Sequence, residues 1–335
     1  GPAPYLLPNP KKNMCGFVAL SEPGRFFDES LMAGMEADLH HRGPDSGGLS
    51  IEQGFALAFR RLAILDPAAG ADQPMTDPTG QRTIVFNGEI YNYRRLRAEL
   101  EAAGTRFQTN GDTEVILAAY AAWGRECFAR LEGMFAIVII DRTANELIAA
   151  RDPFGIKPLY VAQHGKLTGF ASEMRPLARL FPVKVDRAAL SELLIFRFAA
   201  GRLSNLTDIE SLPGGTVLVQ SLATGKQHTY RFCDPLDSID ADPSIDMETA
   251  IAQSREAIIN AVHDHLASDV GYTVQLSGGV DSSLVSAIAQ RETGGALASY
   301  GVHIPGYDLD EAPYRAQAVE RIGLEHSEIT LDGHA

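Results

Sequence analysis

The seven residues 277–283 (SGGVDSS) constrain the fold more than any other part of this 335-residue chain. They follow an apolar strand pattern and precede a helical one, and the same alternation continues on both sides. The predicted elements are a helix at 250–268, a strand at 272–276, a helix at 283–292, a strand at 298–303, a helix at 312–322 and a strand at 327–331. Such alternation predicts βαβ units and a parallel sheet that binds ligands at the carboxyl ends of its strands.

A glycine-rich turn between a strand and a helix favours phosphate binding. Gly278 and Gly279 let the backbone turn tightly, and the helix that follows adds unpaired N–H groups and the positive end of its dipole. Ser277, Ser282 and Ser283 add hydroxyl donors, whereas the carboxylate of Asp281 suits a Mg²⁺ ion that bridges phosphates. The loop is not a Walker A motif, because GxxxxGK[ST] is absent. A serine-capped structural turn is the alternative interpretation.

The region from 15 to about 220 has a different pattern, which predicts an α+β segment with few parallel crossovers. Short β-rich runs are bounded by Gly, Asp or Pro, and helical patterns lie between some of them. The predicted strands are at 16–20, 54–59, 82–86, 136–140 and 216–219, and the predicted helices at 94–103 and 113–123. Residues 234–247 are rich in aspartate and proline and predict a linker.

Composition excludes some classes of function. Lys and Arg number 29 against 43 Asp and Glu, and the net charge of −14 argues against a nucleic-acid partner. No apolar stretch approaches the length of a membrane span. The three cysteines have no CxxC spacing and form no even disulfide set, so a cytoplasmic location is expected. Residues 1–13 are proline-rich and are predicted to be a disordered leader.

Cys15 directly follows Met14, which could be a translation start. A cysteine at the N-terminus carries its own general base, because an α-amino group titrates at about 7.7–8.0 and a thiol at about 8.5. A cysteine inside the chain lacks that amine, and taken alone Cys15 reads as a buried core residue.

Several strings place Cys15 in a wider pattern. In chain order they are CGF (15–17), HRGPD (41–45), RLAI (61–64), NGEIYN (87–92), NGDTE (110–114), RDPFGIKPLY (151–160) and FASEM (170–174). Alone, Asn87-Gly88 would favour a hairpin turn. Together the strings resemble the glutaminase domain of class II glutamine amidotransferases, and SGGVDSS resembles the pyrophosphate loop of the ATP-pyrophosphatase superfamily. Residues 15–335 as a whole resemble glutamine-hydrolysing asparagine synthetase.

The resemblance implies a role for each matching residue. Cys15 would attack the glutamine carboxamide and form a glutamyl thioester, with the Asn87 side chain and the Gly88 N–H as oxyanion hole. Arg61 would pair with the α-carboxylate, and Glu89 and Asp112 with the α-ammonium. The ATP site would consist of Leu276, Ser277, Gly278, Gly279, Asp281, Ser282, Ser283 and Val302, with Mg²⁺ on Asp281. Residues 151–160 are interpreted as a structural turn, and Glu311 either as part of the adenylation site or as an acid at a helix N-terminus.

The implied fold is an α+β N-terminal-nucleophile four-layer αββα sandwich followed by a truncated α/β parallel-sheet ATP-pyrophosphatase (PP-loop) domain. The expected boundaries are a leader or extension at 1–14, the glutaminase domain at 15–230, a linker at 231–248, and the first part of the ATP-binding domain at 249–335.

The implied activity is that of a ligase of asparagine biosynthesis. Glutamine would supply ammonia to an acceptor carboxylate, aspartate by default, activated by ATP as an acyl-adenylate with release of AMP and pyrophosphate. One alternative is an amidotransferase of the same family that acts on a sugar, a peptide or an antibiotic precursor. Another is a non-catalytic regulator that binds glutamine or a nucleotide, favoured if the leader stays attached. Family members are commonly dimers, so a homodimer is one expectation for assembly.

Overall fold

The computed structural model describes residues 14–66, 69–199, 201, 204–237, 239, 242–295, 297–306 and 311–331. The leader predicted at 1–13 lies outside these residues, as do positions 238, 240 and 241 of the predicted linker. The chain divides into two compact units, with the boundary between Asp240 and Ala241.

The first unit is built largely from antiparallel strands. Its strands are β1 (Gly16–Ser21), β2 (Ser46–Glu52), β3 (Phe55–Arg61), β4 (Met75–Thr76), β5 (Arg82–Ile90), β6 (Gly133–Asp141), β7 (Glu146–Arg151), β8 (Tyr160–His164), β9 (Leu167–Ala171), β10 (Ile209–Ser211), β11 (Thr216–Ser221) and β12 (Gln227–Arg231). The first sheet has the order β10-β8-β9-β1-β3-β2 and the second β12-β11-β7-β6-β5-β4. Neighbouring strands in both sheets are antiparallel.

Helices cover the outer faces of both sheets. The helices of this unit are α1 (Glu29–Ala37), α2 (Tyr93–Ala102), α3 (Asp112–Trp123), α4 (Met174–Leu177) and α5 (Arg187–Phe196). Met32 of α1 and Leu177 of α4 pack on the first sheet, while Leu96 of α2 and Val115 of α3 pack on the second. Leu96 and Leu100 lie four residues apart on one face of α2, and both are buried.

The alternation of side chains along the strands explains the layering. On β1, Phe17 and Ala19 face the second sheet, whereas Val18 and Leu20 face the helices. On β5, Val85 lies in the core between the sheets, and Ile84 and Phe86 lie beneath α2 and α3. Two sheets that share one core, each covered by helices outside, form the predicted αββα sandwich, which is thereby confirmed.

The second unit contains a small parallel sheet. Its elements are α6 (Met247–His265), β13 (Thr273–Gln275), α7 (Val280–Glu292), β14 (Ala298–His303), α8 (Ala312–Ile322) and β15 (Glu325–Thr330). The strands have the order β13-β14-β15 and run parallel, as predicted. Leu276, Ile288 and Leu324 are among the residues of its core.

Some local predictions differ from the structure. Asn87 and Gly88 lie inside β5, opposite Ala136 and Phe135 of β6, so the turn that the dipeptide favours alone is wrong. α7 begins at Val280 rather than 283, so Asp281, Ser282 and Ser283 lie in its first turn. α6 begins at Met247 rather than 250, because the Asp246 carboxylate caps it by accepting a hydrogen bond from the Thr249 N–H at 2.7 Å. Within the described residues, no helix is long and apolar enough to cross a membrane.

Candidate functional site

A cavity of about 130 Å³ opens in the first unit. It brings together six residues from a stretch of almost 100 positions in the sequence. The residues predicted for the glutaminase site all line it, namely Cys15, Arg61, Asn87, Gly88, Glu89 and Asp112. Cys15 directly precedes β1, Arg61 ends β3, and Asp112 begins α3, whereas Asn87, Gly88 and Glu89 lie within β5.

Two of the sequence strings hold Cys15 at the start of β1. Ser172 exchanges hydrogen bonds with Phe17: the Phe17 N–H donates to Ser172 Oγ at 3.1 Å, and the Ser172 N–H to the Phe17 carbonyl at 3.0 Å. Arg42 Nε donates to the Cys15 carbonyl at 3.0 Å, and its Nη1 pairs with Glu173 at 3.1 Å. These contacts hold the backbone from the Cys15 carbonyl to Phe17.

The Cys15 thiol lies against the loop that follows β3. The Leu62 N–H donates to Cys15 Sγ at 3.3 Å, and Sγ lies 3.5 Å from the Leu62 carbonyl oxygen. Burial raises the pKa of the Cys15 thiol, an effect that the Leu62 hydrogen bond and the positive charge of Arg61 oppose. The thiol therefore needs a base before it can act as a nucleophile at neutral pH.

Asn87 and Gly88 form the part of the cavity wall contributed by β5. Asn87 is 1% exposed, and its Nδ2 has no hydrogen-bond partner among the described residues. A buried donor without a partner is rare and indicates that something else accepts its hydrogen bond. Gly88 leaves no room for a side chain, because a Cβ there would lie 2.2 Å from the Met134 carbonyl oxygen.

Arg61 ends β3 with a buried guanidinium. Its Nη1 donates to Asp72 Oδ1 at 2.9 Å, and its Nη2 to the carbonyl oxygen of Leu65 at 3.2 Å. These contacts fix the guanidinium at the cavity wall, where a fork of N–H donors suits a carboxylate.

Two carboxyl groups face the same cavity. The Ile90 N–H donates to Asp112 Oδ2 at 3.0 Å. Burial, reinforced by the negative charge of Glu89, raises the pKa of Asp112 to about 7. Burial also raises the pKa of Glu89, and the positive charge of Lys157 opposes that shift. Both the buried carboxyl group of Asp112 and the half-buried one of Glu89 would gain from a bound cation.

Lys157 lines the cavity as well, although the sequence interpretation assigned 151–160 only a structural role. That string does form the connection between β7 and β8, with Asp152 accepting hydrogen bonds from the N–H groups of Phe154, Ile156 and Lys157. The presence of a lysine among apolar residues of the turn was the available signal, but the sequence did not indicate where its side chain points.

In the second unit, the residues predicted for ATP form the turn between β13 and α7. Gly278 has φ +110°, a conformation that favours glycine. Ser277 Oγ accepts a hydrogen bond from the Gly279 N–H at 3.1 Å and lies 3.0 Å from Ser282 Oγ. Gly279 caps α7 without a side-chain hydrogen bond to its first turn, so N–H groups remain for a ligand.

Leu276 and Val302 lie near the ends of neighbouring strands but differ in exposure. Leu276 is fully buried in the core, and its N–H donates to the Tyr300 carbonyl at 2.8 Å, so only its backbone could contact an adenine. Val302, on β14, is half-buried.

Oxygen donors suitable for Mg²⁺ surround the loop, but few of them are carboxylates. Asp281 is exposed in the first turn of α7, and the Glu311 carboxylate lies 3.4 Å from where a Cβ on Gly279 would be. Among the described residues, no group of three or more His, Cys, Asp or Glu could hold a metal ion. These residues fit an ion that takes most of its ligands from phosphate and water, as Mg²⁺ commonly does.

Arg315, which the sequence interpretation did not single out, holds the loop between β13 and α7 in place. This residue of α8 is 2% exposed, its Nη1 donates to the Ser277 carbonyl at 3.0 Å, and its Nη2 pairs with Glu328 at 2.7 Å. An arginine in the last helix pattern gave no signal of this contact, which depends on how α8 packs.

We expect Gly278→Ala to destabilise this loop strongly. A Cβ at Gly278 would lie 2.7 Å from the Arg315 nitrogen and the Glu311 oxygen, both backbone atoms. Strain in φ and the clash together should lower the opening free energy of α7 by about 2–4 kcal/mol. Hydrogen exchange of the α7 amides measures this opening free energy. Gly294→Ala is the matched control, because Gly294 also has positive φ but no atom lies within 4 Å of its Cβ position. Equal effects of both substitutions would show that the clash does not matter.

Two family models match this chain, one for each of its two parts. The model of the glutamine amidotransferase domain matches residues 14–232, and that of asparagine synthase matches residues 253–335. Asparagine synthetase [glutamine-hydrolyzing] 1 of Bacillus subtilis (strain 168) is 33% identical over 321 residues, which cover 93% of this chain and 49% of that protein. Asparagine synthetase B of Escherichia coli (strain K12) is 35% identical over 309 residues, covering 87% of this chain and 49% of that protein.

A solved structure shares the fold. The allosteric regulatory enzyme of purine biosynthesis has a TM-score of 0.50 at 14% identity, over 95% of this chain and 80% of that one. The chain spans about half the length of the curated relatives reported above.

Proposed function

The chain belongs to the glutamine amidotransferase family, whose domain it matches over residues 14–232, and we propose that it hydrolyses glutamine at Cys15 and supplies the ammonia to an ATP-dependent amidation. The observation that carries this proposal is the buried Asn87 Nδ2, which has no partner among the described residues and lines the same cavity as Cys15. An unpaired N–H donor such as Asn87 Nδ2 can stabilise the oxyanion that forms when Cys15 attacks a carboxamide.

The proposed reaction begins when Cys15 becomes the first residue. Its α-amine takes the thiol proton, and the thiolate attacks the carboxamide carbon of glutamine. Asn87 Nδ2 and the Gly88 N–H donate to the oxyanion. The amine returns the proton to the leaving group, ammonia departs, and water then hydrolyses the glutamyl thioester to glutamate.

Glutamine would be bound through both charged groups on its α-carbon. The Arg61 guanidinium receives the α-carboxylate, in exchange for or beside its contact with Asp72. Asp112 and Glu89 receive the α-ammonium, since both are poorly solvated carboxyl groups facing the cavity. The two contacts together select an amino acid with a free α-amine and α-carboxylate.

This proposed role of Asp112 makes glutamine binding depend on pH. Asp112 titrates near 7 in the free protein, and only its ionised form attracts an ammonium ion. Affinity should therefore fall as the pH drops below 7, by up to tenfold per unit, and level off above 7. Calorimetry on the inactive Cys15→Ala chain measures the affinity for glutamine at each pH without turnover. Asp112→Asn should remove the dependence and weaken binding, whereas Glu132→Gln, at an exposed site, should leave both unchanged.

The second half of the proposal concerns ATP. Ser277, Gly278, Gly279, Ser282 and Ser283 would bind the pyrophosphate, with Leu276 and Val302 at the adenine. Asp281 would hold Mg²⁺, with Glu311 nearby; the ion would neutralise phosphate charge during adenylation. The match to asparagine synthase over residues 253–335 supports ATP as the nucleotide and aspartate as the default acceptor. An acceptor of another kind remains the alternative within the family.

Two assays test the proposal. Glutamate release from glutamine tests the first half on a chain that begins at Cys15, and its absence in a folded chain would leave only a binding role. Pyrophosphate release on addition of aspartate, Mg-ATP and glutamine tests the second half. Release with a different acid alone would favour the same-family alternative, and binding without turnover would favour a regulator.

We also propose the domain boundaries 15–230, 231–248 and 249–335, a homodimeric assembly and a cytoplasmic location. The two units divide inside the proposed linker, and Cys15, Cys127 and Cys233 are free thiols. Gel filtration tests the homodimeric assembly, and cell fractionation tests the cytoplasmic location.

A further inference from the structure

Lys157 carries an ammonium group in an unusual position. The residue is only 4% exposed, and its backbone N–H is held by Asp152 Oδ2 at 3.0 Å. Its Nζ donates to Met14 Sδ at 2.7 Å, and this thioether is its side-chain hydrogen-bond partner in the described part of the chain. A thioether is a weak acceptor, so a buried ammonium is left poorly compensated.

The charged groups that act on Lys157 come from four elements. Glu89 lies on β5, Arg42 follows α1, Cys15 precedes β1, and Asp152 belongs to its own turn. Among the described residues none of the carboxylates forms an ion pair with Nζ. Burial lowers the pKa of Lys157, and Glu89 and Cys15 oppose that shift. The ammonium is thus placed to favour negative charge on its neighbours rather than to neutralise one carboxylate.

Met14 is the residue whose removal would free the Cys15 amine. Its side chain occupies the space in front of Nζ, and Met14, Cys15 and Lys157 all line the cavity. Once Met14 is gone, the ammonium loses its thioether contact and faces the new N-terminus. A nearby positive charge favours a thiolate over a thiol, and a neutral amine over a second ammonium. Both effects favour the reactive state of an N-terminal cysteine.

We propose that Lys157 is a positioning residue for the Cys15 nucleophile. After Met14 is removed, its positive charge favours the thiolate and the neutral α-amine of Cys15 at neutral pH. The inference rests on the proposed function, since it concerns the same site. It assigns a chemical role to a lysine that the turn it occupies does not require.

Alkylation of Cys15 by iodoacetamide at a series of pH values tests the role without glutamine. The chain should begin at Cys15, and mass spectrometry of the N-terminal peptide separates this thiol from Cys127 and Cys233. Lys157→Met removes the charge at nearly constant length. We expect the pH midpoint of alkylation to rise by about one unit, with about tenfold slower reaction at pH 7. Lys157→Arg should keep the original midpoint, and Lys166→Met, at an exposed turn, should behave as the unmodified chain.

An unchanged midpoint in folded Lys157→Met would overturn the inference. So would a higher KM for glutamine with an unchanged midpoint, because Lys157 would then contact substrate instead. If Lys157→Met does not fold, Lys157→Gln provides the same comparison. The proposed function fails separately, by absence of glutamate release from the unmodified chain, even if the alkylation midpoint still depends on Lys157.

Discussion

A chain that begins at Cys15 is expected to release glutamate from glutamine about 10²–10⁴-fold faster than the same chain that keeps residues 1–14, the range that a positioned general base contributes. The reason is that burial raises the pKa of the Cys15 thiol, so the thiol needs a base. None of the described residues that line the cavity is a histidine. The free α-amine of Cys15 is the base that processing would add.

The comparison requires two chains that differ only at the N-terminus. Glutamate release at pH 7.5 is measured for each, with circular dichroism to show that both are folded. Cys15→Ala in the shorter chain is the control for contaminating glutaminase and should be inactive. Equal activity of the long and short chains would contradict the N-terminal-nucleophile mechanism, because an internal cysteine has no α-amine.

Substitution of Asn87 should give the second large effect. Loss of one oxyanion donor typically lowers kcat by about 10²–10³-fold, and we expect this for Asn87→Ala with little change in KM. The substitution should leave stability nearly unchanged, because Asn87 Nδ2 has no partner among the described residues to lose. Steady-state kinetics and thermal unfolding of the same preparation measure the two quantities.

Asn92 provides a matched control five residues further along. Its Nδ2 donates to the Arg130 carbonyl at 2.9 Å, and its Oδ1 accepts from the Glu132 N–H at 3.1 Å. Asn92→Ala removes both hydrogen bonds and should lower the free energy of unfolding by about 1–2 kcal/mol while kcat stays within a few-fold. If Asn87→Ala instead behaves like Asn92→Ala, with lost stability and unchanged kcat, Asn87 is a structural residue.

The sequence predicted the fold well where one physical rule dominates. The apolar run at 16–20 predicted a strand, and Phe17 and Val18 of β1 face different cores because side chains on a strand alternate. The four-layer sandwich itself was implied by the resemblance. The parallel sheet followed from the alternation of elements around SGGVDSS. Those patterns depend on local periodicity, which a sequence displays directly.

Predictions failed where packing overrides a local preference. Asn87-Gly88 favours a turn in isolation, yet the dipeptide lies within β5 because β6 approaches so closely that only glycine fits. The start of α6 depended on which of several aspartates acts as the cap, and Asp246 does. Lys157 and Arg315 were missed because their roles come from contacts with distant segments. Met14 and Lys157 are 143 positions apart, and Ser277 and Arg315 are 38 apart.

The position of β1 bears on how the proposed glutaminase activity would be lost on heating. Chain termini usually fray first, and a catalytic group there would be lost before the fold. β1 instead pairs with β3 on one side and β9 on the other, and all six of its residues are buried. Its amides should therefore exchange with solvent only through global opening of the unit. Thermal inactivation of a chain that begins at Cys15 should then coincide with cooperative melting rather than precede it.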